Sequence, residues 1–151
     1  MSTPAKQYDE SLINYYEEQL VPHADTVYRF AFALLLSLDG AAKCAKKTFQ
    51  NLAASLDKVH GAGDPNTNLL LISETWKTLQ ELKNQKFTEG QSAVTKALKP
   101  LKPEQRAALV AVDVAGLSAA DAARALGLAE KDLRMHLAGA RRSLMKSTQD
   151  L

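Results

Sequence analysis

The chain of 151 residues has one cysteine, three histidines and one tryptophan. A single Cys44 excludes an internal disulfide, and His23, His60 and His136 lie too far apart for zinc-ligand spacing, so neither metal nor cofactor is expected. The most apolar run, FAFALLLSL from Phe30 to Leu38, is too short to span about 30 Å of hydrocarbon. No basic-then-apolar signal segment opens the sequence, so no membrane contact is expected and the expected compartment is the cytoplasm. Alternating strand patterns are nearly absent. There is no nucleophile–base pairing and no Gly-rich phosphate loop, so the reading is not an enzyme.

Charge of one sign is also scarce, the net charge being only +2. Its distribution is uneven: residues 1–99 hold 11 Lys+Arg against 11 Asp+Glu, and residues 100–151 hold 8 against 6. The whole excess therefore falls in the C-terminal third, a modest lean toward anionic partners there.

What the sequence has in quantity is helical periodicity. Leu12, Ile13, Tyr16 and Leu20 form a first amphipathic stretch ended by Pro22, and a second helix is predicted from about Asp25 to Leu38, with Asp39-Gly40 as its stop. AAKCAKKTFQNLAASL predicts a third helix to about Leu56, and HGAGDPNTN, residues 60–68, reads as a loop. Helix resumes from Leu69 to about Asn84, where Leu69, Ile72, Trp76 and Leu79 share one face. Residues 85–102 are polar and interrupted by Gly90 and Pro100, a linker with at most a short helix around Ser92–Leu98. Pro103 then opens a helix that Gly116 closes. The expected architecture is all-α, with a helical domain over residues 1–84, a linker over 85–102 and a second domain over 103–151.

The stretch GLSAADAARALGLAEKDLRMHLAGARRSL carries the most specific local signals. Ser118 with Asp121 three residues on is a capping-box-like helix start, and Gly127 is free to take the left-handed conformation that ends the helix. The following helix sets Leu133, Leu137, Ala140 and Leu144 on one inward stripe. A short helix, a glycine turn and a longer helix make a helix-turn-helix. Its opposite face is predicted to hold Lys131, Asp132, Met135, Ala138, Gly139 and Arg142.

The PEQR opening, the DVAGLS passage, the AARALGL turn and the closing ARRSL together resemble region 4, the promoter-reading domain of bacterial sigma factors of the extracytoplasmic-function group. VYRFAFALLLSLDGAAKCAKKTF is similar, more loosely, to the region 2 stretch that binds the polymerase clamp. The resemblance implies a non-catalytic protein whose N-terminal module docks on core RNA polymerase and whose C-terminal module reads promoter DNA in the major groove, weakly on its own. By that resemblance Lys131, Arg134, Met135, His136, Arg141 and Arg142 are the DNA-binding candidates. Lys43, Lys46, Lys47 and Gln50 are the polymerase- or partner-binding candidates, and an anti-sigma factor is a further candidate partner.

The departures are specific. Asp132 stands where relatives commonly carry a small hydroxyl residue, and His136 and Gly139 where they commonly carry arginine. An acid at the start of a recognition helix opposes phosphates, although it could accept from a cytosine amino group. AAKCAKKTF replaces the family's acidic and glutamine side chains with Lys43, Lys46 and Lys47. The segment aligned with the promoter-melting helix offers Trp76, Lys77 and Lys83 beside Glu74 and Glu81, a poor platform for single strands. Simpler readings place Trp76 in the core, Cys44 as a packing residue, His23 and His60 at the surface and the lysine group on a solvated helix face. The alternative function is a sigma mimic that binds an anti-sigma factor or another regulator without directing transcription.

Overall fold

The computed structural model describes residues 10–61 and 66–149, and among them every regular element is helical. Helix α1 (Glu10–Tyr15) continues through a π turn (Tyr16–Leu20) and a 3-10 turn (Val21–His23) into α2 (Ala24–Leu35). Next come α3 (Leu38–Ala54), α4 (Leu56–Gly61), α5 (Thr67–Glu81) and α6 (Ala93–Leu98). The last three are α7 (Pro103–Leu109), extended by a π turn (Val110–Val114), α8 (Ala119–Leu126) and α9 (Glu130–Gln149).

Several helix ends follow from short polar side chains. Ser37, Asn66, Ser92 and Ser118 each accept a hydrogen bond from the backbone N–H three residues on, at 3.0–3.2 Å, satisfying an amide that the helix leaves unpaired. The sequence misplaces one boundary. Asp39-Gly40 does not stop α2; the stop is Leu36, a non-glycine residue at φ 55°, and Asp39 and Gly40 form the first turn of α3 behind the Ser37 cap. Gly40 is kept without a side chain because Phe87 lies over it, and a Cβ there would sit 2.8 Å from the ring.

Two further corrections concern the middle of the chain. α4 runs through His60 into the segment read as a loop, and α5 starts at Thr67 and ends at Glu81. The side chain of His60 and residues 62–65 lie outside the described residues. The predicted α5 face holds: Leu69, Ile72 and Leu79 are buried, and Trp76 packs edge-on against Phe30, with ring centres 6.3 Å apart.

Segment 85–92 is held down rather than left free. Phe87 covers Gly40, the Gly90 N–H donates to the Leu36 carbonyl at 2.8 Å, and Glu89 pairs with Lys99 at 3.0 Å. Lys43 also stands 5.8 Å from the centre of the Phe87 ring.

One apolar core includes Phe30, Ala41, Cys44, Ile72, Leu98, Leu109, Leu126, Leu133 and Leu137, so side chains from both halves of the chain share it. α2 packs against α7 and its π turn, and α5 against α8. A smaller core of Leu20, Val27, Leu52, Leu56 and Leu71 closes the N-terminal end. Polar contacts join the halves as well: Asn66 donates to Asp121 at 3.2 Å, and Asn68 to the Ala115 carbonyl at 2.9 Å.

Candidate nucleic-acid interface

The C-terminal helices build a helix-turn-helix from the residues that predict it. Ser118 accepts from the Asp121 N–H at 3.0 Å, and Asp121 places its carboxylate in the first turn of α8, where the helix dipole favours an anion. Gly127 takes φ 67° and ends α8, after which Leu128 packs against the core. Leu133, Leu137 and Ala140 of α9 are buried, and Leu144 packs half-buried at the end of the same stripe.

The opposite face of α9 is open at Lys131, Asp132, Met135, Ala138 and Arg142. Gly139 departs from the predicted outward set. It is half-buried, and a Cβ there would meet the Gln105 amide nitrogen at 2.7 Å, so the glycine admits α7 rather than facing a ligand. Gln105 is itself fixed, its carbonyl oxygen accepting from the Lys102 N–H at 3.0 Å. His136 is likewise half-buried, flanking the inward stripe rather than heading the exposed face.

Two of the candidate cations are occupied internally. Arg134 donates to Glu130, one turn earlier, at 2.7 and 3.2 Å. Arg141 forks onto both carboxylate oxygens of Asp113, at 2.6 and 3.1 Å, and this hydrogen bonding raises the guanidinium's pKa. Lys131 and Arg142 have no ion pair among the described residues. The PEQR arginine, Arg106, is turned inward; it is 9% exposed, its Nε has no hydrogen-bond partner among the described residues, and burial lowers its pKa against the pull of Glu89 and Glu104.

On α3 the candidate partner-binding residues divide in the same way. Lys43 pairs with Asp39 at 3.2 Å and Lys47 with Glu81 at 3.4 Å, whereas Lys46 and Gln50 are exposed, Lys46 with no ion pair among the described residues. Cys44 lies fully buried beneath them, where desolvation pushes its thiol up to about 11 against the lowering hydrogen bond with Thr48. Among the described residues no group of three or more His, Cys, Asp or Glu side chains could hold a metal, and no helix is long and apolar enough to cross a membrane.

Sequence reasoning missed Asp113 and Gln105, which decide what Arg141 and Gly139 can do. Asp113 was visible in the DVAG passage, but no local pattern ties it to a residue 28 positions later. It also missed an apolar groove of about 350 Å³ between the two halves, walled by Tyr28, Phe32, Leu38, Val94, Leu98 and Val114.

These features define an all-α protein with an N-terminal helical module and a C-terminal helix-turn-helix. Residues 91–144 match the family model described as Sigma-70, region 4. The ECF RNA polymerase sigma factor SigM of Mycobacterium tuberculosis, in two strains, is 52% identical over 54 residues, which are 36% of this chain and 28% of that protein. The match thus spans well under two thirds of these relatives. Among solved structures, CnrH in complex with the cytosolic domain of CnrY is similar in fold with TM-score 0.72 and 18% identity, covering 91% of this chain and 90% of that one. The sigma factor RpoE bound to the anti-sigma factor NepR from Bartonella quintana gives TM-score 0.71 and 22% identity, covering 90% and 98%. The anti-anti-sigma factor PhyR with NepR, from the same organism, gives 0.62 and 18%, covering 84% of this chain and 48% of that one. The sequence match is thus to sigma-70 region 4 over residues 91–144, and the likeness of fold to the solved structures extends over about nine tenths of the chain.

Proposed function

We propose that the chain is a transcription-initiation or regulatory protein of the extracytoplasmic-function sigma factor type, binding core RNA polymerase through its N-terminal module and promoter DNA through α9. The observation that carries the reading is that α9, inside the region 4 match, buries its leucine stripe while Lys131 and Arg142 stand on the exposed face with no ion pair among the described residues. Two cations suit a modest phosphate contact, and a helix of this kind enters the major groove with its N-terminal residues toward the bases. On α3, Lys46 and Gln50 are the side chains open to a polymerase. The protein acts as a binding module in the cytoplasm without chemistry of its own.

The alternative, a mimic that occupies an anti-sigma factor, is favoured by two observations: the ion pairs that engage Arg134, Arg141, Lys43 and Lys47, and the apolar groove between the halves. Both RpoE and PhyR, whose folds this chain shares, are in complexes with an anti-sigma factor.

Affinity capture of the tagged full chain from its native lysate at moderate salt, with mass spectrometry of the captured proteins, separates the two. Stoichiometric core polymerase subunits support the sigma reading. A small regulator without polymerase supports the mimic.

A further inference from the structure

We infer that Met135, backed by Ala138, reads the 5-methyl group of thymine in the major groove, an inference that rests on the DNA-binding reading of α9. Met135 is 61% exposed at the centre of the open face. Lys131 lies one turn before it and Arg142 two turns after it, both exposed, so the apolar position is bracketed by exposed cations. Met135 lies in the second turn of α9, in the N-terminal half that a recognition helix turns toward the bases. Lys131 and Arg142, on the same exposed face, supply the charge that holds such a helix to the phosphates, and Met135 and Ala138 lie between them.

The chemistry of those intermediate residues is restrictive. Arg134 and Arg141, the two side chains best suited to bidentate guanine contacts, are turned onto Glu130 and Asp113. Asp132 is an acceptor and suits only an amino group. Met135 and Ala138 lack strong hydrogen-bonding groups, and the one apolar feature in the major groove is the thymine methyl. Methionine is flexible and polarizable, so it follows such a methyl without demanding one fixed geometry. The readout assigned to this face is therefore contact with a methyl group rather than a fork onto guanine.

The test selects duplexes from a randomised pool with the full chain at low salt, then replaces each thymine of the enriched site, one at a time, with deoxyuridine. Fluorescence anisotropy is expected to show one position at which losing the methyl weakens wild-type binding about fourfold, the scale of one methyl group's transfer from water. Met135→Ala is expected to bind the thymine duplex as the wild type binds the deoxyuridine duplex, and to be indifferent to the replacement. Met135→Leu is expected to keep the sensitivity. Equal deoxyuridine effects in wild type and Met135→Ala, or none in either while binding still falls steeply with salt, overturn the methyl reading and leave DNA binding standing. If no duplex is retained at low salt, the DNA-binding reading and the inference fall together.

Discussion

Arg141 on the outer side of α9 is bound through two hydrogen bonds to Asp113 in the π turn that follows α7, so a cation at the candidate interface is directed back onto its own domain. Exposed ion pairs contribute little to stability, and the larger effect of this one is on the charge available to a partner. Asp113→Asn is expected to tighten binding to any duplex. It should also steepen the fall of log affinity with log salt by about one phosphate contact. Anisotropy titrations over a salt series measure the slope, and an unchanged slope means that Arg141 does not face DNA even when released.

Asp132 and Arg142 occupy the same exposed face with opposite charge. Asp132→Ser is expected to strengthen DNA binding by removing an anion from the groove, and Arg142→Ala to weaken it. The two variants and the wild type compared at one salt concentration test the orientation of α9. If neither moves the affinity, this face does not meet DNA.

Leu137 is 6% exposed in the inward stripe, beside fully buried Leu133 and Ala140. Truncating Leu137 to alanine is expected to cost about 2–5 kcal/mol. Chemical denaturation reads it as a lower midpoint at constant slope.

Gly40 and Phe87 form a coupled pair. In a helix, glycine to alanine ordinarily gains about 1 kcal/mol, but here the new Cβ would meet the Phe87 ring at 2.8 Å. Gly40→Ala is therefore expected to destabilise by about 1–3 kcal/mol, and Gly40→Ala combined with Phe87→Ala to cost less than the two single changes added. Additive losses in a double-mutant cycle would place the Phe87 ring elsewhere.

Cys44 supplies a pH dependence. Its folded thiol pKa, raised to about 11 by burial, lies above the ordinary value of 9.0, so the folded state keeps the proton that the unfolded chain gives up. Stability from this source is complete below about pH 9 and is lost as pH rises toward 11. Cys44→Ser should flatten that alkaline loss. In the folded protein at pH 8, alkylation of Cys44 should proceed only as fast as the chain opens.

Much of the C-terminal module is written locally. Ser118, Gly127 and the spacing of Leu133, Leu137 and Ala140 each act within one or two turns, so caps and buried stripe follow from the sequence. What sequence reading misses depends on partners distant along the chain: Asp113 for Arg141, Gln105 for Gly139, Phe87 for Gly40 and Glu81 for Lys47. The stop at Leu36 is hidden for a different reason. Asp39-Gly40 is the stronger turn signal by composition, but Ser37 caps the next helix and forces the reversal onto the leucine before it.

The core shared by α2, α5, α7 and α8 joins the two modules by apolar contacts that any separation of them has to break. A partner that needs the two modules apart meets only the open fraction, and its apparent affinity is reduced by that fraction. A partner that grips both modules in place meets no such reduction, so the same apolar contacts rank competing partners by the spacing each requires. Weakening the shared core away from every binding face would then shift the choice of partner without altering a single residue that touches one.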